Sequence, residues 1–197
     1  MADYLSNFGV PIGGNDRNGM LMPKLKNRFR VLFYNFGGGG RTVDLSRQVQ
    51  TCDRPKVNYE EQVVHSYNSK AYYAGKHEWQ SISVSIRDDV TNAVSRLVGY
   101  QIQKQMNHFD QTVPLSGSSY KFQMDMEVLT GGNDSYGGGL ELWNIDGCWL
   151  QDIQYDSGDY SATDPFMVTL TIRYDLATLT GGLFPVNPYF RSTSTIS

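Results

Sequence analysis

Three stretches of this chain alternate apolar and polar side chains with a period of two, the pattern of a strand with one face buried, because successive side chains on a strand point to opposite faces. Phe166, Val168, Leu170, Ile172 and Tyr174 alternate with Met167, Thr169, Thr171, Arg173 and Asp175. Tyr120, Phe122, Met124, Met126 and Val128 alternate with Lys121, Gln123, Asp125 and Glu127, and Ile82, Val84 and Ile86 alternate with Ser81, Ser83 and Ser85. Weaker alternation runs through Phe29, Val31 and Phe33, through Val43, Leu45 and Val49, and through Val57, Tyr59, Val63 and His65, so six or more strands are expected. The composition agrees: 19% charged, 13% aromatic and 20 Gly suit strands and turns better than helix bundles.

Two features punctuate these strands. Asp146-Gly147 lies between an apolar cluster at Leu140, Leu142, Trp143 and Ile145 and another at Trp149 and Ile153. Asp-Gly in that setting predicts a hairpin, since both central positions of a type I′ turn need positive φ. From Asp89 to Phe109 the period changes: Val90, Val94, Leu97, Val98, Ile102, Met106 and Phe109 recur mostly at three or four, which predicts one amphipathic helix across a β core. Asp88 and Asp89 stand where a cap and a favourable dipole interaction are wanted, and Pro114 follows the end.

At 197 residues the chain holds one core of ordinary size. The expected division is an arm over 1–26, one β domain over 27–176 and a second arm over 177–197. The arms carry Phe8, Val10, Ile12, Leu21 and Met22 at one end and Leu183, Phe184, Tyr189 and Phe190 at the other, among Gly and Pro that interrupt a helix or a central strand. Segments too apolar to be solvated tails are expected to lie extended against a neighbouring copy of the chain.

Charge and chemistry exclude several classes. With 17 Lys+Arg against 20 Asp+Glu the net charge is -3, so no general attraction to nucleic-acid phosphates is expected. The first residues show no secretory signal, no apolar run is long enough to cross a bilayer, and Cys52 and Cys148, far apart, read as reduced, partly buried thiols of a cytoplasmic protein. Gly37 to Gly40 lacks the Gly-Lys-Ser/Thr of a phosphate loop and reads as a hairpin tip. Residues 131–139 share composition with a calcium-binding nonapeptide repeat but occur once, and Asp156, Asp159 and Asp164 read as a turn without EF-hand spacing. His65, His77 and His108 are scattered over a strand, a loop and a helix end, with no zinc spacing. No residue is nominated as a nucleophile beside its base, so no enzyme and no cofactor is expected. Trp79, Trp143 and Trp149 read as core residues.

Leu142-Trp143-Asn144-Ile145-Asp146-Gly147-Cys148-Trp149-Leu150-Gln151-Asp152-Ile153, then Tyr155-Asp156, the turn through Asp164-Pro165 and the strand closing on Arg173-Tyr174-Asp175, resembles the late segment of the tail tube proteins of contractile-tailed (T4-like) bacteriophages. Asn27-Arg28-Phe29 opening the first strand, and Trp79 to Asp89 running into the helix, are similar to that family's earlier segment, so the resemblance covers about residues 27–176.

The resemblance implies a small antiparallel β-barrel or sandwich with one flanking helix, joined edge to edge into homohexameric rings that stack into a tube. That tube would be a virion component assembled in the host cytoplasm, with sheath, baseplate and tail terminator proteins as partners and DNA passing through its lumen without specific binding or a membrane. Under it Tyr67, Lys70, Tyr72, Tyr73 and Lys76 are the candidate ring-stacking loop, and Ser81, Ser83, Ser85, Gln123, Asp125 and Glu127 are candidates for the lumen face. A baseplate tube initiator and the tube of a phage-like secretion or bacteriocin device are neighbouring readings. A carbohydrate-binding β-sandwich using Tyr72 and Tyr73 is the alternative of another class.

Overall fold

A computed structural model describes residues 23–38, 43–130 and 138–185. In it the alternating segments form one antiparallel sheet that folds over on itself, so that its two halves face each other across a single core. The first half runs from β1 (Phe29–Tyr34) through β6 (Phe122–Leu129) and the early part of β7 (Gly138–Tyr155) to β9 (Leu176–Pro185). The second half runs from the late part of β7 through β8 (Met167–Arg173) and β5 (Ile82–Arg87) to β2 (Val49–Cys52). β1 and β2, at the two ends of this path, do not pair with each other, so the barrel stays open along one seam.

The period-two pattern decides which side chains fill the space between the halves. Phe33, Met124 and Ile145 from one half meet Val84, Leu170 and Ile172 from the other, all fully buried. Removing each from water stabilises the fold by about 1.5–3 kcal/mol. One end of this core is aromatic: Phe122 sets its ring edge against Phe36 at 4.9 Å and tilts against Phe33 at 6.4 Å.

The predicted helix is present but shorter, as α2 (Ala93–Gln105), because its start is fixed by capping rather than by period. The Asp89 carboxylate accepts from the Thr91 hydroxyl at 2.8 Å and the Ala93 amide at 3.2 Å, and Asn92 takes a left-handed φ of 56° just before the first turn. The hydrogen bond from Thr91, and after it that from Ala93, hold the Asp89 carboxyl below the usual range. Val90 and Phe109 match the helical spacing but lie outside the helix and are exposed. Val94, Val98 and Gln101 form the buried face. Gln101, fully buried, accepts from the Gly37 amide at 2.9 Å and donates to the Tyr120 carbonyl at 2.7 Å, so the helix is tied to two loops by one satisfied amide.

Three expectations need correction. Val43 and Leu45 lie on a short helix, α1 (Val43–Gln48), and the strand begins only at Val49; three apolar residues are too few to separate a period of two from one of 3.6. Gly37 is not a free hairpin tip: its φ is 67° and a Cβ there would stand 2.7 Å from the Leu97 carbonyl oxygen, while residues 39–42 lie outside the described residues. Asp146-Gly147 is not a hairpin, because β7 continues through it without reversing. Between Met124↔Ile145 and Phe122↔Cys148 β7 carries one extra residue, a bulge with Gly147 at φ 71°, and this is where the strand leaves the first half-sheet for the second. The positive φ foreseen for the glycine is real, but the chain around it bends instead of reversing.

Candidate assembly surface

Among the described residues β3 (Lys56–Ser66) and β4 (Ser69–Gln80) pair only with each other, through a turn at Tyr67 with φ 49°. Of the five residues expected in a ring-stacking loop, only Tyr67 lies in the turn; Lys70, Tyr72, Tyr73 and Lys76 are on β4. His77, expected in a loop, is also on β4, its ring 6.0 Å from Trp79. Trp79 anchors the base of the hairpin by packing 5.8 Å from Tyr174, and beyond it Val57, Tyr59, Val63 and Tyr72 are exposed along one face. Tyr72 pairs with Val63 and Tyr73 with Gln62, so the two tyrosines point to opposite faces and make no shared platform for a sugar ring. A lone two-stranded ribbon is marginal in water. The ribbon therefore leaves a face of Val and Tyr side chains exposed among the described residues.

The candidate lumen residues fall on two different faces. Ser81, Ser83 and Ser85 lie beside the outer side of the second half-sheet, where Ser85 meets Thr169 at 3.2 Å and Ser83 pairs with Thr171. Gln123, Asp125 and Glu127 lie on the outer side of the first half-sheet, opposite Tyr34, Leu32 and Arg30 of β1. There Glu127 binds Arg30 at 2.5 Å, Gln123 donates to Asp146 at 2.7 Å, and Asp125 is 5% exposed. Because both half-sheets turn their inner faces to one core, these outer faces point apart.

Of the candidate arm residues, Leu183 and Phe184 belong to β9, whose backbone extends the sheet along β7 to Pro185. Phe8, Val10, Ile12, Leu21, Met22, Tyr189 and Phe190 lie outside the described residues.

One feature escaped the sequence reading. Along the open seam between β1 and β2 runs a groove of about 950 Å³ with Phe29, Met126, Val128 and Cys52 in its walls and Lys24, Lys26, Arg28 and Arg54 around it. The three cations at alternate positions before β1 were its available signal. Beside the groove Glu141, 8% exposed, accepts from Trp143 Nε1 at 2.6 Å and Lys24 Nζ at 3.0 Å, with Arg54 Nε at 3.8 Å. Burial alone would raise its carboxyl, but the hydrogen bonds from Trp143 and Lys24 and the attraction of Arg54 and Lys24 outweigh it and hold Glu141 below the ordinary range.

A depressed folded-state pKa means that the stabilisation is present above the unfolded value and is lost as pH falls through the folded one. The stability gap between wild type and Glu141→Gln should thus be constant at neutral pH and narrow below about pH 4.3, the ordinary glutamate value. Thermal melts of both proteins from pH 7 to 3 check this; a gap that stays constant to pH 3 contradicts it.

Both thiols are free, Cys148 buried and Cys52 half-buried in the groove wall. Burial, and then Asp53, push the Cys52 thiol up to about 12, so it is not a nucleophile at neutral pH. Among the described residues no group of three His, Cys, Asp or Glu is placed to hold a metal, and no helix is long and apolar enough to cross a membrane.

No protein-family model matches the chain, and no curated protein matches it. Solved structures do. A chain of the anti-feeding prophage baseplate, in a six-fold symmetrised cryo-EM structure, superposes with a TM-score of 0.60 at 12% identity, covering 82% of this chain and 98% of that one. A chain of the sheath–tube complex of an extracellular contractile injection system (PVC), in the extended state, gives 0.56 at 15% identity, covering 81% and 93%. The SPP1 tail tube gives 0.54 at 11% identity, covering 85% and 84%. The chain therefore has the tail tube fold, mainly antiparallel β with an open barrel and one main flanking helix. The structures it superposes on are structural components of tails and injection devices.

Proposed function

We propose that this protein is the subunit of a tail tube, closing into hexameric rings that stack inside a contractile sheath and conduct DNA. The observation that carries the reading is the β3–β4 ribbon, which exposes Val57, Tyr59, Val63 and Tyr72 on a fold shared with tube components. Hexameric closure is supported by the six-fold symmetry of the assembly that holds one of the similar chains. The first half-sheet ends in β1 and β9, and neither pairs with a further strand among the described residues. Joining β9 of one copy to β1 of the next would use up these edges and make a continuous wall. Its outer face carries Gln123, Asp125 and Glu127 together with Arg30, Asn144 and Thr178; the two carboxylates are largely buried and Arg30 is bound to Glu127, so this polar face offers passing phosphates no unpaired cation among these residues. That face is our choice for the lumen, with the serine face of β5 turned away from the axis.

The ribbon, and the apolar arms at 1–26 and the chain end, then serve contacts between rings. Sheath, baseplate and terminator proteins are the expected partners, with the protein assembling in the bacterial cytoplasm before becoming part of the virion tail. Similarity to an injection-system tube favours a second reading of the same kind, the tube of a secretion or bacteriocin device, and similarity to a baseplate chain favours a tube initiator. Concentrated protein is expected to form rings or tubes by negative-stain microscopy, and Tyr72→Lys with Val63→Lys is expected to abolish them while the far-UV spectrum is kept. A wild type that stays monomeric at millimolar concentration overturns the proposal, and the copy number per particle separates tube from initiator.

A further inference from the structure

Building on the tube reading, we propose that the basic groove at the β1/β2 seam is the socket for the acidic loop between β7 and β8 of a second copy, and that this plug-and-socket contact sets the head-to-tail direction of assembly.

The socket is cationic. Lys24 and Arg54 are shared with Glu141, but among the described residues the Arg28 guanidinium donates only to the Thr130 carbonyl, at 2.6 Å, and Lys26 has no ionic partner. Against these stands Asp53 as the sole acid in the lining. The floor, made by Phe29, Met126 and Val128, is apolar, so an occupant needs an apolar or aromatic tip flanked by negative charge.

The loop 156–166 has that composition. It carries Asp156, Asp159 and Asp164 and no Lys or Arg, with Tyr160 fully exposed at its tip and Phe166 half-exposed at its base. Asp159 is committed to the turn, accepting from the Ser161 amide at 2.9 Å and its hydroxyl at 2.8 Å. Those bonds fix the turn that presents the tyrosine. Asp164 makes no hydrogen bond or ion pair among the described residues.

Socket and plug do not meet in one copy: Tyr160 is fully exposed, and no residue of the loop lines the groove. In the second half-sheet the loop leaves beside the Arg87↔Met167 pair, whereas the socket residues Cys52 and Asp53 sit beside Val84 and Ser83. Two complementary patches that stay apart within one subunit make a heterologous contact between copies, which propagates with one polarity.

A charge swap in the full chain tests this. Lys26→Glu with Arg28→Glu reverses the socket, and Asp156→Lys with Asp164→Lys reverses the plug; each pair is expected to raise the critical concentration for assembly about tenfold or more, measured by sedimentation. All four substitutions in one chain are expected to recover most of the loss, and Tyr160→Ala, which leaves charges and turn bonds in place, to raise the critical concentration by at least fivefold. The wild-type threshold should also rise with salt. Thermal melts confirm that each variant folds. Tubes from wild type together with unchanged assembly by every variant remove this contact and leave the tube reading standing. A socket variant that fails without rescue by the swap identifies another occupant, such as an arm of the chain, and overturns the proposal. A wild type that never assembles removes the tube reading and this contact together.

Discussion

Gly147→Ala is expected to destabilise the protein by about 2–4 kcal/mol, read as a drop in the midpoint of chemical denaturation with an unchanged slope. Two causes add. The backbone there has φ 71°, which an L side chain adopts only under strain, and a Cβ would stand 2.7 Å from Asp175 Cγ and 3.0 Å from Asp175 Cβ. Asp175 cannot simply swing away, because its carboxylate holds Lys121 at 2.5 Å and its amide donates to the Asp146 carbonyl at 3.1 Å, closing the corner where β7 changes half-sheets. Pushing it out should splay β8 from β9 and weaken the edge on which the proposed ring closure depends. The double variant Gly147→Ala with Asp175→Gly isolates the steric part: it should recover the clash but not the φ strain, so full recovery would show that backbone conformation contributes nothing.

Phe122→Ala should be the most damaging core substitution, at about 3–5 kcal/mol. Phe122 is 1% exposed and touches Phe33 and Phe36 ring to ring, so truncation removes its transfer free energy and leaves a cavity that two aromatic neighbours cannot collapse into. Phe122→Leu keeps most of the volume and should cost less than about 1.5 kcal/mol. Urea denaturation separates these outcomes, and equal losses for the two variants would mean that the site tolerates a cavity. Because β6 carries both this core face and the proposed lumen face, the alanine variant should also assemble poorly at temperatures where its monomer is still half folded.

The strands were legible wherever one face is buried. Ile82, Val84 and Ile86, or Val168, Leu170 and Ile172, could satisfy a period of two only by facing one core, and they do. The candidate site was legible in composition and not in place. Tyr67, Tyr72 and Tyr73 are recognisable as aromatics with no evident core, but whether they sit on a loop or a projecting ribbon depends on β3 and β4 finding no third strand. The helix was legible in its central turns and misjudged at its ends, where Asp89 and a left-handed Asn92 override the continuing apolar spacing at Val90.

Local chemistry thus determined, from the sequence alone, that the chain is β-rich with one main helix and that Gly147 takes positive φ. Tertiary structure alone decided that β7 bends at that glycine and serves both half-sheets, that the serine and carboxylate faces point apart, and that Lys24, Arg28 and Arg54 converge on one groove. The physical reason is range: side-chain period and turn propensity act between residues a few positions apart, whereas sheet register and the meeting of distant charges are set by how the whole core closes.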